Sequence, residues 1–377
     1  MGLCKKYYKG HICRWRIFVD GGYMKRKIYC DYLRLIATFA VVVLHVSASN
    51  WYGADVHGLA WQSFNFYDSA TRWSVPIFVM ISGALFLGRE IPIKKIYSKY
   101  ILRLVIAFFT WNLFYAIMTQ ETSRHGIIYG LKTHKEAIVS GHYHMWFVIM
   151  IIALYMCIPF CKKIVSDTLT TKYFLILSFV FSMMIPWIVQ LLKDYVVGSN
   201  EQLVKFVGIV NSKLSVMSMN MMLGYSFYFV LGYYLDKIEL NKKQRIIIYI
   251  LGILGLAFTI LVDLNLALKT HQPCGNYYGN FRVNVFLEVV AVYTFFKYLK
   301  YKNWRLNKFV YLISQYTLGI YLIHAFFIEK YASIFKFNTL SFNAIVSVPV
   351  VSVVVFVSAI IVSALLKYIP IIKKYCV

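Results

Sequence analysis

The chain contains 377 residues, of which 60% are hydrophobic and only 15% are charged, and its mean hydropathy is +0.63. This composition excludes an ordinary soluble domain of this length and is typical of a polytopic helical membrane protein. The net charge of +25 does not indicate nucleic-acid binding, because the Lys and Arg residues cluster in short segments between apolar runs.

The hydrophobicity pattern predicts an all-α membrane bundle of about ten transmembrane helices. The basic residues are enriched in alternate loops, so we expect both termini to be cytoplasmic. No loop is long enough to form a soluble domain, and any chemistry must therefore be done by the spans and their connections. The predicted spans are 32–51, 71–88, 100–118, 143–161, 172–192, 215–235, 246–264, 281–299, 308–329 and 341–366.

The predicted transmembrane domain covers residues 31–367. It is preceded by a basic cytoplasmic segment, residues 1–30, and followed by a short basic cytoplasmic tail, residues 368–377. The first 30 residues contain no apolar core of a signal peptide, and Met24 is a plausible alternative start. The seven cysteines predict neither a disulfide framework nor a metal site, because no His or Cys set has metal-ligand spacing.

Arg34 and His45 lie eleven residues apart in the first predicted span. At about 100° and 1.5 Å per residue, both side chains face the same side of the helix and are roughly 16 Å apart along its axis. Each has a structural interpretation, Arg34 as an interfacial anchor and His45 as a hydrogen-bonding group between helices. Ionisable groups inside a span are costly, and their shared face favours a functional site.

Further candidates lie in the second and third spans. Ser82 and Gly83 interrupt an apolar helix, which indicates either a packing notch or a close approach by a ligand. Lys99 and Arg103 follow at the predicted cytoplasmic end, where a guanidinium can hold a phosphate with two hydrogen bonds.

The remaining candidates are His144, Glu288 and His324. The histidines at positions 142 and 144 would face different sides of a helix, so a shared metal is not expected. His144 either lines an outward-facing cavity or caps the fourth span. Glu288 requires a partner within the membrane. His45, Glu288 and His324 are predicted to share one level, and we hypothesise that they face one another.

These segments resemble the signatures of the acyltransferase-3 family of membrane acyltransferases. The similar motifs are Asp-Tyr-Leu-Arg (31–34) followed by His45, Pro-Ile-Phe-Val-Met-Ile-Ser-Gly (76–83), His-Met-Trp-Phe (144–147) with Tyr155 and Pro159, and a late element from Ser314 to His324. The chain departs from the family at Ala84, where members often have Phe, and it lacks the esterase-like domain that some members carry.

The resemblance implies an enzyme that transfers an acyl group, usually acetyl from acetyl-CoA, to a hydroxyl of a cell-surface polysaccharide or lipid-linked glycan. It implies Arg34, Lys99, Arg103, Ser82 and Gly83 on the donor side, with acetyl-CoA as a substrate and no permanently bound cofactor. His45 would act as general base or carry the acyl group, assisted by Arg34, Glu288 and His324. His144, Trp146 and Tyr321 are assigned to the acceptor side. The expected location is the inner membrane of a bacterium.

Two other functions fit the sequence. An exporter or flippase of polysaccharide or lipid-linked sugar would require polar groups lining many spans, whereas here they gather at few positions. A non-catalytic partner of a glycan synthase would not need the imidazole of His45.

Overall fold

The computed structural model describes residues 16–19, 22–118, 135–195, 201–216 and 224–370. Most of the predicted N-terminal segment and C-terminal tail lies outside these residues. A short antiparallel hairpin, β1 (Arg16–Val19) and β2 (Gly22–Lys25), precedes the first helix. The other described elements are helices, which confirms the predicted all-α membrane bundle.

The helices follow one another with short connections, as expected for a chain whose apolar runs are separated by brief polar segments. Two of them, α4 and α8, contain an internal π-helical stretch. They are α1 (Ile28–Ala48), α2 (Leu59–Ser69), α3 (Ser74–Phe86), α4 (Ile93–Ile117), α5 (Lys135–Ser140), α6 (Trp146–Met156), α7 (Ile158–Ile164), α8 (Thr168–Tyr195), α9 (Glu201–Val216), α10 (Tyr225–Lys237), α11 (Lys242–Thr270), α12 (Val283–Tyr298), α13 (Trp304–Ser314), α14 (Thr317–Ile334) and α15 (Ala344–Leu366).

Within the described residues, six spans are long and apolar enough to cross a membrane, with the consecutive helices α2 and α3 counted as one span. The number rises to eight if two bent helix pairs, α6 with α7 and α13 with α14, are each one span. The predicted count of about ten is therefore approximate. Two predicted spans correspond to α10 and α12, whose 13 and 16 residues fall short of the roughly 20 needed to cross a bilayer upright.

Helix α1 is central in the bundle and packs against α2, α3, α12, α13, α14 and α15. Its side chains are correspondingly buried, whereas α11 and α15 expose many Ile, Leu and Val residues on their outer faces. In a bilayer these outer faces contact lipid, so the polar groups of α1 point into the protein.

Helices α3 and α10 approach each other through glycines. A Cβ atom added to Gly83 would lie 1.8 Å from the carbonyl oxygen of Phe229, and one added to Gly232 would lie 2.1 Å from that of Met80. Close contact through small residues is a common way for membrane helices to associate.

The two bends lie beside motifs found in the sequence. Helices α6 and α7 meet at 59°, with Pro159 in the first turn of α7. Helices α13 and α14 meet at 62°, directly before the segment that carries Tyr321 and His324.

Candidate active site

His45 of α1 and His324 of α14 form a hydrogen-bonded pair inside the bundle. Nδ1 of His45 lies 2.9 Å from Nε2 of His324, and Nδ1 of His324 lies 2.6 Å from the carbonyl oxygen of Tyr321. Because a carbonyl oxygen only accepts, Nδ1 of a neutral His324 carries the proton, and its Nε2 accepts the Nδ1–H of His45. Nε2 of His45 then holds a lone pair that can take a proton from a substrate.

His144 belongs to the same cluster. Its side chain is buried, and its ring centroid lies 5.1 Å from that of His324 and 6.5 Å from that of His45. The hydroxyl of Tyr321 donates to the backbone carbonyl of His144, which joins the N-terminal part of α14 to the turn before α6. The sequence left open whether His144 lines a site or caps a helix, and the structure places it among the histidines.

Three residues of this cluster are not among the candidates from the sequence: Tyr115, His142 and Tyr143, whose ring centroid lies 5.5 Å from that of His45. Nδ1 of His142 lies 2.9 Å from Nδ1 of His144, Nε2 of His142 lies 2.9 Å from a carboxylate oxygen of Glu329, and the Tyr115 ring stacks on His142 at 4.1 Å. The two histidines were expected on different helix faces. That expectation was wrong, because α6 begins only at Trp146 and both histidines lie in the turn before it. The feature that could have indicated this turn is the sequence Gly-His-Tyr-His (141–144), in which Gly141 has a positive φ of 80°.

Three residues predicted on the donor side converge on Tyr155. The hydroxyl of Tyr155 is hydrogen-bonded to Ser82, and both Arg34 and Arg103 lie within electrostatic range of it. The Tyr155 ring also contacts Phe86, with centroids 4.8 Å apart. This end of the bundle therefore combines two guanidinium groups with aromatic and hydroxyl side chains.

The other two residues that were predicted on the donor side are Lys99 and Gly83. Lys99 is exposed, and its Nζ lies 5.7 Å from the ring centroid of Tyr100, which itself packs on Phe86. Gly83 faces the backbone of α10 at Phe229, so its missing side chain serves helix packing at this point.

Two further predicted site residues lie apart from the histidines. Glu288 of α12 accepts a hydrogen bond of 3.1 Å from the hydroxyl of Thr259 on α11, and Asn284 donates to the same hydroxyl at 2.8 Å. Among the described residues, its hydrogen-bonding partner is thus Thr259 and not a histidine. Trp146 is 44% exposed, and its nearest aromatic neighbours are Tyr225 and Phe147.

A second buried polar network, centred on Arg72, surrounds the end of α1 that follows His45. Arg72 forms a 2.5 Å ion pair with Asp68, its guanidinium lies 4.2 Å from the ring centroid of Tyr278, and the hydroxyl of Tyr278 donates to Asn65. Burial, and then the carboxylate of Asp68, raise the pKa of Tyr278 above its usual value, so this hydroxyl keeps its proton.

The same guanidinium lies within electrostatic range of His45, Asp263 and Glu288. Arg72 is therefore within electrostatic range of two of the three residues that were predicted to share one level, His45 and Glu288. The sequence singled out the second span but gave Arg72 no role, because an arginine beside a span end is usually an interfacial anchor.

Within the described residues, no group of three or more His, Cys, Asp or Glu side chains is arranged to hold a metal ion. The chemistry that the arrangement supports is instead proton transfer by imidazole, with cationic groups at one end of α1 and a mixed polar and aromatic network at the other.

A hydrogen-bonded imidazole pair within a bundle of apolar helices, with guanidinium groups at one end, is consistent with the family comparison, and together they define a membrane-embedded acyltransferase. The model of the acyltransferase-3 family, described as an acyltransferase domain, matches residues 27–368. The chain belongs to this family. No curated protein and no solved structure matches it significantly.

Proposed function

We propose that the protein transfers an acetyl group from acetyl-CoA to a hydroxyl of a cell-surface polysaccharide or lipid-linked glycan. The observation that carries this proposal is the chain of hydrogen bonds from His45 through His324 to the carbonyl of Tyr321. It orients the lone pair on Nε2 of His45 and leaves this nitrogen as the proton acceptor.

In the proposed reaction, Nε2 of His45 removes the proton of the acceptor hydroxyl as that oxygen attacks the thioester carbonyl. The bond between the acyl carbon and sulfur breaks, and the thiolate of CoA takes the proton from His45. His324 stabilises the charged imidazole, because the Nδ1–H of His45 continues to donate to it. The products are the acylated hydroxyl and CoA, so the base returns to its starting state.

The donor is proposed to bind at the end of α1 that carries Arg34. CoA is anionic, and Arg34 and Arg103 beside Tyr155 supply charge-assisted hydrogen bonds for its phosphates. Arg34 and His45 are roughly 16 Å apart along α1, a distance that the long pantetheine arm of CoA spans. The exposed Lys99 adds a weaker attraction at the entrance.

The acceptor is proposed to approach from the opposite end of α1, where the ring of His144 lies 6.5 Å from that of His45 and 5.5 Å from that of Tyr321. The enrichment of Lys and Arg in alternate loops supports cytoplasmic termini, and with them a cytoplasmic donor end in a bacterial inner membrane. An acetyl group would then reach an acceptor on the outer side through the helical bundle, with no soluble domain involved.

The test is transfer of radiolabelled acetyl from acetyl-CoA to envelope glycan, in membranes that contain equal amounts of wild type or a variant. We expect His45→Ala to abolish transfer, and His57→Ala to leave it unchanged, because His57 lies in an exposed loop and contacts His271. Equal transfer by wild type and His45→Ala would refute the base. No transfer by either, together with normal glycan export by wild type and export lost on deletion, would favour an exporter instead.

A further inference from the structure

The network around Arg72 contains an unusual number of buried polar atoms without partners. Within the described residues, Nε of Arg72, Oδ1 of Asp68, Oδ2 of Asp263 and the indole nitrogens of Trp51 and Trp61 are buried and have no hydrogen-bonding partner. The side chains of Trp51, Trp61, Asp68 and Asp263 are buried, and that of Arg72 is 22% exposed. A buried polar group without a partner is costly, and several in one place call for a common explanation.

These groups belong to one region, and Tyr278 connects them. The ring of Trp51 lies 5.9 Å from that of Tyr278 and 5.7 Å from that of Trp61. Arg72 stacks on the same tyrosine and is paired with Asp68. Asp263 joins the region through its other oxygen, Oδ1, which accepts the backbone N–H of Tyr277 at 3.3 Å.

We propose that this region, between α2, the start of α3, α11 and the loop at 271–282, is a binding site for a neutral sugar ring. The proposal rests on the proposed function in one respect, because it makes this sugar the acceptor whose hydroxyl reaches His45. The site consists of Trp51, Trp61, Asp68, Arg72, Asp263 and Tyr278.

The chemistry of the side chains favours a saccharide over other ligands. Sugars present many hydroxyls, which donate to carboxylate oxygens and accept from guanidinium and indole N–H groups. They also present flat C–H faces, which pack on aromatic rings such as those of Trp and Tyr. The guanidinium of Arg72 is already ion-paired with Asp68, so the site offers no unpaired cation to an anionic headgroup or phosphate, and such a ligand is disfavoured.

The position of the region also fits an acceptor. Trp51 follows His45 by six residues, and Arg72 lies within electrostatic range of His45. The donor-side arginines lie toward the opposite end of α1. A sugar held at Trp51 and Arg72 therefore lies on the side of His45 that CoA does not occupy.

Binding is measured without relying on turnover. The thermal unfolding midpoint of the purified protein in detergent is recorded with a panel of methyl glycosides of neutral hexoses and N-acetylhexosamines, and separately with acetyl-CoA. We expect at least one glycoside to raise the midpoint of wild type. We expect Asp263→Asn and Trp61→Phe each to weaken its apparent affinity by about three- to tenfold, as for one lost hydrogen bond, and to leave the response to acetyl-CoA unchanged.

Asp236→Asn is the matched control, because Asp236 is also a poorly exposed carboxylate but is bonded to Lys27 and Tyr29. It is expected to shift the midpoint without ligand and to leave glycoside affinity unchanged. If no glycoside stabilises wild type, or if both site variants bind glycoside as wild type does, the sugar site is refuted and the polar atoms are hydrated only. A glycoside response without any acetyl-CoA response supports the sugar site and contradicts the proposed donor.

Discussion

The contact between α3 and α10 gives the clearest stability prediction. Replacing Gly83 or Gly232 by Ala adds a methyl group 1.8 Å or 2.1 Å from a backbone oxygen of the other helix. Real Cβ atoms essentially never come closer than 3.0 Å to another heavy atom, so the two helices must separate by about 1 Å. Since the atoms in the way belong to backbone, no side-chain rotation can relieve the overlap.

Overpacking of this kind costs about 1–3 kcal/mol per site. We therefore expect Gly83→Ala and Gly232→Ala each to lower the thermal unfolding midpoint of the detergent-purified protein. The double variant should be less destabilised than the sum of the two, because the separation forced by one methyl group partly accommodates the other.

Gly208→Ala is the matched control. Gly208 lies inside α9, and a Cβ added there meets no atom within 4 Å. Alanine is the better helix former, so this variant is expected to be neutral or more stable by up to about 1 kcal/mol. If Gly83→Ala were as stable as Gly208→Ala, the close helix contact would be refuted, and Gly83 would be available for the donor.

Two predictions concern activity. His324→Ala should lower kcat about 10²- to 10⁴-fold with little change in the KM for acetyl-CoA. Its effect should not add to that of His45→Ala, since the hydrogen-bonded pair acts as a unit. Additive losses in steady-state kinetics would show that the two histidines act separately. Arg34→Ala should raise the KM for acetyl-CoA more than Lys99→Ala does, because Arg34 is half-buried and, like Arg103, lies within electrostatic range of Tyr155, while Lys99 is exposed. Equal effects of the two variants would place the phosphates at the surface.

Much of the site was accessible from sequence because α1 is a single continuous helix. Helical periodicity alone puts Arg34 and His45 on one face at two depths, and the structure places Arg34 near Tyr155 and His45 beside His324. The second histidine was found because an ionisable residue within an apolar run is conspicuous. The positions of these groups along their own spans follow from local geometry.

The neighbours across helices could not be derived in this way. Glu288 and His324 have similar predicted depths, yet Glu288 is bonded to Thr259, because α12 packs most extensively on α11. Likewise, Gly83 has the same local sequence whether it faces a ligand or a helix, and only the position of Phe229 decides between them.

The amino-acid sequence by itself determines that this protein is a helical membrane bundle and which residues lie at which depth, since both depend on hydrophobicity and on the fixed rise of a helix. The tertiary structure alone decided that His142 and His144 turn toward His45 and His324, and that Arg72 lies among Asp68, Tyr278 and Asp263. The physical reason is that these contacts join residues from distant spans, and their pairing depends on how the helices pack.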